Sequence, residues 1–260
     1  MLFRMDRRGS RIVINMKMEA VNLPPKISRN TLAEIVGYAD PQHYVLVSGH
    51  VDSWDIGEGA VDDGGGAFIS WYTPFLLKKL GLTPRRTVRA VLWTAEEAGL
   101  HGAHAYKKAH SDEEIVLAME SDEGTFNPKG MSMKGSYEAT CIFKEILNLL
   151  SPINATRLKR SSKPGSDIKV WKDTDVPTAH LSANDGRYFW YHHTAADSMD
   201  AEDPDSLDRC LAVMAAVAYV VADLSVRLPS GPYDKSIGWR GATIGSNNYN
   251  NSNWIGNQIF

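Results

Sequence analysis

Three short strand-like runs, each followed at once by acidic or histidine residues, constrain the fold of this 260-residue chain more than any other feature. The runs cover residues 44–49, 86–93 and 115–119, and their composition is typical of strands inside a sheet. Segments with helical features, residues 64–80 and 102–110, separate them. Strands that alternate with helices predict an α/β fold with a mixed, mostly parallel central sheet flanked by helices.

Further elements extend this pattern on both sides. Residues 11–21 alternate between apolar and polar side chains, which predicts a half-buried strand, and a second early strand is expected at 31–36. Short turns join these early strands, so we expect an antiparallel edge to the sheet. Three later elements are predicted as well: a helix over 137–150, a strand over 176–181 and a long helix over 205–228.

The chain changes character near its end. Residues 1–228 have the periodicity of one α/β domain, whereas residues 229–260 are rich in Gly, Asn and Ser and have no period. We therefore expect one domain over 1–228 and a poorly ordered tail over 229–260.

Charge and hydropathy exclude some partners. The formal net charge is −3 and the pI about 6.2, so nothing favours binding to nucleic acid or to an anionic membrane. No apolar run reaches the roughly 18 residues that a membrane span needs. We expect neither nucleic acid nor membrane as a partner.

Two polar clusters come between the first predicted inner strand and the helix after it. His50 follows the strand directly, where open α/β sheets place ligands, and Asp52 is close enough to accept a hydrogen bond from the ring nitrogen that does not bind metal. Asp62 and Asp63 precede three glycines and a helix. Each cluster also has an ordinary interpretation, a structural histidine in one case and a helix cap in the other.

The later strands end in the same kinds of residue. Glu96 and Glu97 follow the second inner strand and Asp122 follows the third, while His192 and His193 lie further along. Unpaired carboxylates at one edge of a sheet would repel each other, and divalent cations remove that repulsion. Mixed carboxylate and imidazole ligands suit zinc, although cobalt or manganese could substitute.

Four segments resemble the co-catalytic zinc peptidases of metallopeptidase family twenty-eight. They are GHVDSWDIGEGAVDDGGG, LWTAEEAGLHGA, MESDEGTF and YHHTAADSMD, and the resemblance runs from about residue 1 to residue 228. It implies the zinc-exopeptidase fold and a chain truncated at its amino end. It also implies two Zn²⁺ ions per chain, held by residues that match the family's pattern: His50 and Asp122 on one ion, Glu97 and His193 on the other, and Asp62 bridging both.

The resemblance also implies an activity. Glu96 matches the general base of a di-zinc metallopeptidase that hydrolyses small peptides, as a dipeptidase or carboxypeptidase. It further implies a homodimeric glycoprotein that is secreted or lysosomal, with a glycosylation sequon at Asn154. Other functions stay open: an aminopeptidase of the same family, a non-peptide amidohydrolase, a binding domain on the same fold, or an inactive fragment.

Overall fold

A seven-stranded sheet forms the centre of the computed structural model, which describes residues 1–163, 165–183 and 185–233. The strands are β1 (Thr31–Ile35), β2 (Asp40–His50), β3 (Arg86–Trp93), β4 (Glu114–Glu120), β5 (Gly130–Lys134), β6 (Arg157–Arg160) and β7 (Thr178–Leu181). The helices are α1 (Leu2–Asp6), α2 (Gly65–Lys79), α3 (His101–Ala109), α4 (Tyr137–Asn148), α5 (Tyr188–Tyr191) and α6 (Pro204–Asp223).

The strand order is β1-β3-β2-β4-β7-β5-β6. The four inner strands β3, β2, β4 and β7 are all parallel to one another. Two antiparallel pairings flank this centre, β1 with β3 on one side and β5 with β7 on the other. The predicted mixed, mostly parallel sheet is therefore confirmed, and the expected antiparallel edge is provided by β1.

Helices cover both faces of the sheet because successive side chains of the inner strands point to opposite sides. In β2, Val45 and Val47 belong to the larger apolar cluster, which includes buried residues of α2, α4 and α6. Leu46, between them, belongs to the second cluster with Trp93, and α3 covers that face. Strands buried on both faces explain why the inner runs contain so few polar residues.

Most predicted elements agree with the structure to within a few residues, but α6 is shorter than predicted. It ends at Asp223 and not at Leu228. The Asp223 carboxylate accepts a hydrogen bond from the Arg85 backbone N–H at 3.0 Å. One residue later, the Leu224 carbonyl accepts from the Arg86 guanidinium at 2.7 Å. These contacts fix the chain at the end of the helix, which periodicity alone does not reveal.

The strand predicted over residues 11–21 is wrong. This segment has no strand pairing, and its apolar side chains are largely exposed, including Ile14 and Met16. Alternation shows that a segment is amphipathic, whereas a strand also needs a neighbour with free backbone groups. None of the described strands pairs with this segment.

Strands β5 and β6 have no counterpart among the predictions. Their sequences, GMSMK and RLKR, lack the β-branched or aromatic residues that indicate strands. β6 lies at an edge of the sheet, where one face stays partly exposed and charged side chains are tolerated. Tertiary pairing with β5 therefore decides its structure.

The predicted boundary between domain and tail lies at residue 228. The Leu228 side chain is buried in the larger apolar cluster, and the Gly231 N–H donates to the Asp175 carbonyl at 3.2 Å. The described residues end at 233, so most of the predicted tail lies outside them. No helix among the described residues is long and apolar enough to cross a bilayer.

Candidate metal centre

His50 is the last residue of β2, and its imidazole is almost completely buried. Its Nδ1 lies 2.8 Å from the backbone oxygen of Asp52, which can only accept a hydrogen bond, so Nδ1 carries the proton in this contact. The other nitrogen, Nε2, lies 3.2 Å from an oxygen of Asp62 and 3.2 Å from one of Asp122. A neutral His50 ring would therefore direct its free lone pair between these two carboxylates.

Asp62 lies at the centre of the site. One of its oxygens faces His50 Nε2, and the other lies 3.3 Å from His193 Nε2. The interpretation of this pair of aspartates as a helix cap is wrong: the capping residue of α2 is Gly64, and no side chain caps that helix end. The neighbouring Asp63 instead accepts a hydrogen bond from the His50 backbone N–H at 3.0 Å.

Glu97 and His193 form the second half of the site. Glu97 Oε2 lies 3.0 Å from His193 Nε2 and accepts a hydrogen bond from the indole nitrogen of Trp54 at 2.7 Å. The adjacent His192 is further from the centre, with its Nε2 at 3.7 Å from Asp62. Its ring stacks on that of His193, with the centroids 3.6 Å apart. His193 Nε2 thus lies closer to Asp62 than His192 Nε2 does.

Glu96 approaches the site from the other side. The Ser166 hydroxyl, which donates to Asp122, lies beside its carboxylate and favours the charged form of Glu96. An oxygen of Glu96 lies within 4.8 Å of ligand atoms of His50 and Glu97. Glu96 and Glu97 are adjacent in the sequence but have different partners in the structure. The sequence alone does not reveal this difference.

Asp52 supports the site in a different way from the predicted one. Its backbone oxygen, and not its carboxylate, makes the close contact with His50 Nδ1; the nearest carboxylate oxygen is 3.9 Å away. The carboxylate accepts the backbone N–H groups of Glu96 at 3.0 Å and of Glu97 at 3.1 Å. Two consecutive N–H groups at a strand end need acceptors, and Asp52 provides both. It therefore fixes the loop that carries the two glutamates.

The charges in the site are strongly coupled. Burial disfavours a protonated His50, but the hydrogen bonds that it donates to Asp122 and Asp62 outweigh burial and raise its pKa. Burial also opposes the charge of Asp62, but the hydrogen bond with His50 outweighs it and lowers the Asp62 pKa. Burial raises the pKa of Glu96, with Asp122 adding to it, and burial and Asp62 raise the pKa of Glu97. A cation placed here would offset this excess of negative charge.

Several groups that sequence reasoning missed complete the site. Asp197 accepts the Val61 N–H at 2.6 Å and so holds the segment that carries Asp62. Ser166 donates to Asp122 and lies beside Glu96, and the indole of Trp54 contacts Glu97. The WD pair after the strand was a visible signal for Trp54, whereas nothing in the local sequence marks Ser166.

The residues present fit a metal centre. Two carboxylate oxygens, Asp62 Oδ2 and Glu97 Oε1, are buried and have no hydrogen-bond partner, which is costly unless a cation binds them. Groups of three ligand atoms lie within 4.8 Å of one another, and together they include every predicted ligand. These groups are Asp62, His192 and His193; His50, Asp63 and Asp122; and His50, Glu96 and Glu97.

Solved structures of known peptidases resemble this fold. A Peptidase M28 precursor from Shewanella amazonensis SB2B has a TM-score of 0.73 and 33% sequence identity, over 78% of this chain and 47% of that one. A zinc aminopeptidase from Bacillus subtilis has a TM-score of 0.62 and 17% identity, over 79% of this chain and 53% of that one. The second likeness concerns the fold alone.

Sequence relatives agree with this likeness. Carboxypeptidase Q from Xenopus laevis is 51% identical over 231 residues, which are 88% of this chain and 49% of that protein. The chain thus spans about half the length of this relative. Residues 30–218, which include all the predicted ligands, match the model of Peptidase family M28. This chain is a member of Peptidase family M28.

Proposed function

We propose that this chain is the catalytic part of a di-zinc metallopeptidase that hydrolyses small peptides, as a dipeptidase or carboxypeptidase of the carboxypeptidase Q type. The observation that carries the proposal is the position of Asp62, which presents one carboxylate oxygen to His50 and the other to His193. A carboxylate that presents one oxygen to each imidazole could bridge two metal ions. The relatives named carboxypeptidase Q support the substrate class.

The contacts on each side of Asp62 support the proposed ligand set. His50 and Asp122 would hold one zinc ion, since their ligand atoms lie 3.2 Å apart. Glu97 and His193 would hold the other, with their ligand atoms 3.0 Å apart. Imidazole and carboxylate donors suit Zn²⁺. The structurally similar Bacillus subtilis aminopeptidase is also described as a zinc enzyme.

Bound zinc would lower the pKa of a water molecule and polarise the scissile carbonyl. The protein supplies the proton transfer. Glu96 lies beside His50 and Glu97, so we assign it to accept the proton of the attacking water and return it to the leaving amine. Burial raises its pKa, with the Asp122 charge adding to the effect, so Glu96 holds a proton more readily than an exposed glutamate does. Ser166 would hold this carboxylate in place.

Two variants separate the base from a ligand. Glu96→Gln keeps the shape of the side chain but cannot accept the proton, so zinc content should stay the same while turnover of a dipeptide falls by roughly 10²–10⁴-fold. Glu97→Ala should lose both activity and one zinc ion. Zinc is measured by elemental analysis beside dipeptide hydrolysis on the same preparations. Near-normal turnover in Glu96→Gln, or full zinc content in Glu97→Ala, would refute these assignments.

The same ligands would also serve an aminopeptidase. The likeness to the Bacillus subtilis zinc aminopeptidase gives this alternative its support. The two activities can be distinguished by measuring hydrolysis of free dipeptides and of the same peptides with a blocked amino or carboxyl end. A dipeptidase or carboxypeptidase loses activity when the carboxyl end is blocked, whereas an aminopeptidase accepts that substrate. A chain that binds zinc and cleaves none of them would instead be a binding domain or an inactive fragment.

We also propose that the protein acts as a homodimer. An aromatic stripe on α2 supports this: Phe68, Trp71 and Phe75 lie on successive turns and are each partly exposed. The rings of Trp71 and Phe75 stack, with centroids 6.3 Å apart. Exposed aromatic patches of this kind often mark protein interfaces. Light scattering should give the mass of a dimer for the wild type and of a monomer for Trp71→Glu; a monomeric wild type would contradict the proposal.

We further propose a secreted or lysosomal location, with a glycan at Asn154. The resemblance to glycosylated family members is the basis, and the exposed position of Asn154 permits modification. When the chain is expressed behind a secretory leader, glycosidase treatment should change its mobility, and Asn154→Gln should remove that change. The same mobility in treated and untreated protein would contradict the glycan.

A further inference from the structure

Trp54 makes a polar contact that the reaction itself does not require. Its indole N–H donates to Glu97 Oε2 at 2.7 Å, and its ring centroid lies 5.6 Å from that of His193. Both contacts fall on the same half of the site. Trp54 has no contact of this kind with His50 or Asp122 among the interactions of the described residues.

The Trp54 side chain is not part of the hydrophobic core. It is 52% exposed and belongs to none of the apolar clusters that the described residues form. A tryptophan that stays half in solvent gains less from burial than one in the core. Its specific interactions are the hydrogen bond to Glu97 and the ring contact with His193.

The chemistry of the donor suits a metal ligand. An indole N–H only donates, and it is neutral, so it fixes the Glu97 carboxylate without cancelling the negative charge. A Lys or Arg in its place would compete with a cation. Oε2 takes the hydrogen bond, while Oε1 remains buried and without a partner. The carboxylate is thus oriented and still has lone pairs available.

We propose that Trp54 is a positioning residue that orients Glu97 for one of two metal ions, an inference that rests on the proposed function. Glutamate has three rotatable side-chain bonds, and a fixed acceptor geometry limits the conformations it samples before metal binds. Groups that hydrogen-bond to metal ligands typically change metal affinity by roughly 10–100-fold when they are removed. The effect should be confined to the ion held by Glu97 and His193.

Trp54→Phe removes the N–H and keeps an aromatic ring. The 260-residue chain is loaded with zinc and titrated with a chelator, and the zinc retained per chain is measured. The wild type should release its two ions with two dissociation constants. In Trp54→Phe one constant should weaken by roughly 10–100-fold and the other should stay unchanged. Substitution with Co²⁺ should show the same asymmetry in the absorption spectrum.

Trp190→Phe is the matched control, because Trp190 is also an exposed tryptophan near the site, at 68%, in the helix that precedes the histidine pair. Both of its zinc constants should equal those of the wild type. Unchanged constants in Trp54→Phe would overturn the inference, and so would equal weakening of both ions or a lower thermal midpoint of the metal-free variant. A wild-type chain that binds no zinc would instead refute the proposed function.

Discussion

The Asp52 carboxylate is the best place to test how the loop of the two glutamates is held. It accepts the consecutive backbone N–H groups of Glu96 and Glu97. The same loop contains Ala95 in the left-handed region, with φ 55°, a conformation that costs a non-glycine residue about 1–2 kcal/mol. The two hydrogen bonds offset this cost.

The magnitude follows from the number of bonds removed. A hydrogen bond to a charged group is worth about 1.5–3 kcal/mol, and because the Asp52 side chain is 28% exposed we take the lower end for each. Asp52→Ala removes both bonds and should reduce the free energy of unfolding by about 3 kcal/mol. Asp52→Asn keeps one acceptor oxygen and should lose about half of that. Both variants should remain folded, because a loss of about 3 kcal/mol is smaller than the about 5–15 kcal/mol by which domains are typically stable.

Urea unfolding of the metal-free chain measures this free energy, and elemental analysis measures zinc. Both variants should retain less zinc than the wild type because the ligand Glu97 moves with the loop. The contact to His50 Nδ1 uses the Asp52 backbone oxygen and survives both substitutions. If Asp52→Asn and Asp52→Ala unfold at the wild-type urea concentration, the carboxylate does not hold the loop and the reasoning fails.

Three further predictions concern the rest of the domain. Burial opposes the charge of Glu113, but hydrogen bonds from Arg89 outweigh burial and lower the Glu113 pKa. The ionised Glu113 side chain therefore stabilises the fold above about pH 4.5, and this contribution is lost as the pH falls through the lowered pKa. Glu113→Gln should therefore lower the free energy of unfolding at pH 7, and the difference from the wild type should shrink in urea titrations at progressively lower pH; a constant difference would contradict the ion pair. The Ser136 hydroxyl caps α4 by accepting the Ala139 N–H at 3.1 Å, so Ser136→Ala should cost about 1 kcal/mol in the same assay, with Ser136→Asp as the control that keeps a capping oxygen. Deletion of residues 231–260 should leave the thermal midpoint nearly unchanged, because their sequence has little apolar periodicity with which to order itself; a drop of many degrees would refute this.

The parts of the fold that sequence predicts are those in which local pattern and tertiary environment agree. Strand β3 was predicted with its observed bounds, because a strand buried on both faces is apolar along most of its length. β6 could not be predicted, since its structure depends on pairing with β5. For residues 11–21 the error is the opposite one, a strand predicted where none forms: the segment alternates, but none of the described strands pairs with it.

The candidate site was more predictable than its supporting contacts. His50 and Glu97 follow strands that the sequence indicates, so the topology rule for open sheets places them at one edge. The role of the Asp52 carboxylate was predicted wrongly because sequence spacing does not distinguish a side-chain oxygen from the backbone oxygen of the same residue. Ser166 belongs to a segment distant in sequence, and only the folded sheet brings it to Glu96.

The position of Asp62 between His50 and His193 also has a consequence for the order of folding. His50 and His193 are far apart in the sequence, and the parallel pairings of β2 with β4 and of β4 with β7 bring their parts of the chain to one edge of the sheet. Such non-local contacts form slowly, because the chain must first close long loops. Metal binding would therefore occur late in folding, after the sheet has formed. Because the ions would bind only the folded state, they would stabilise it. A chelator that removes the ions would return the chain to the metal-free state, which is less stable.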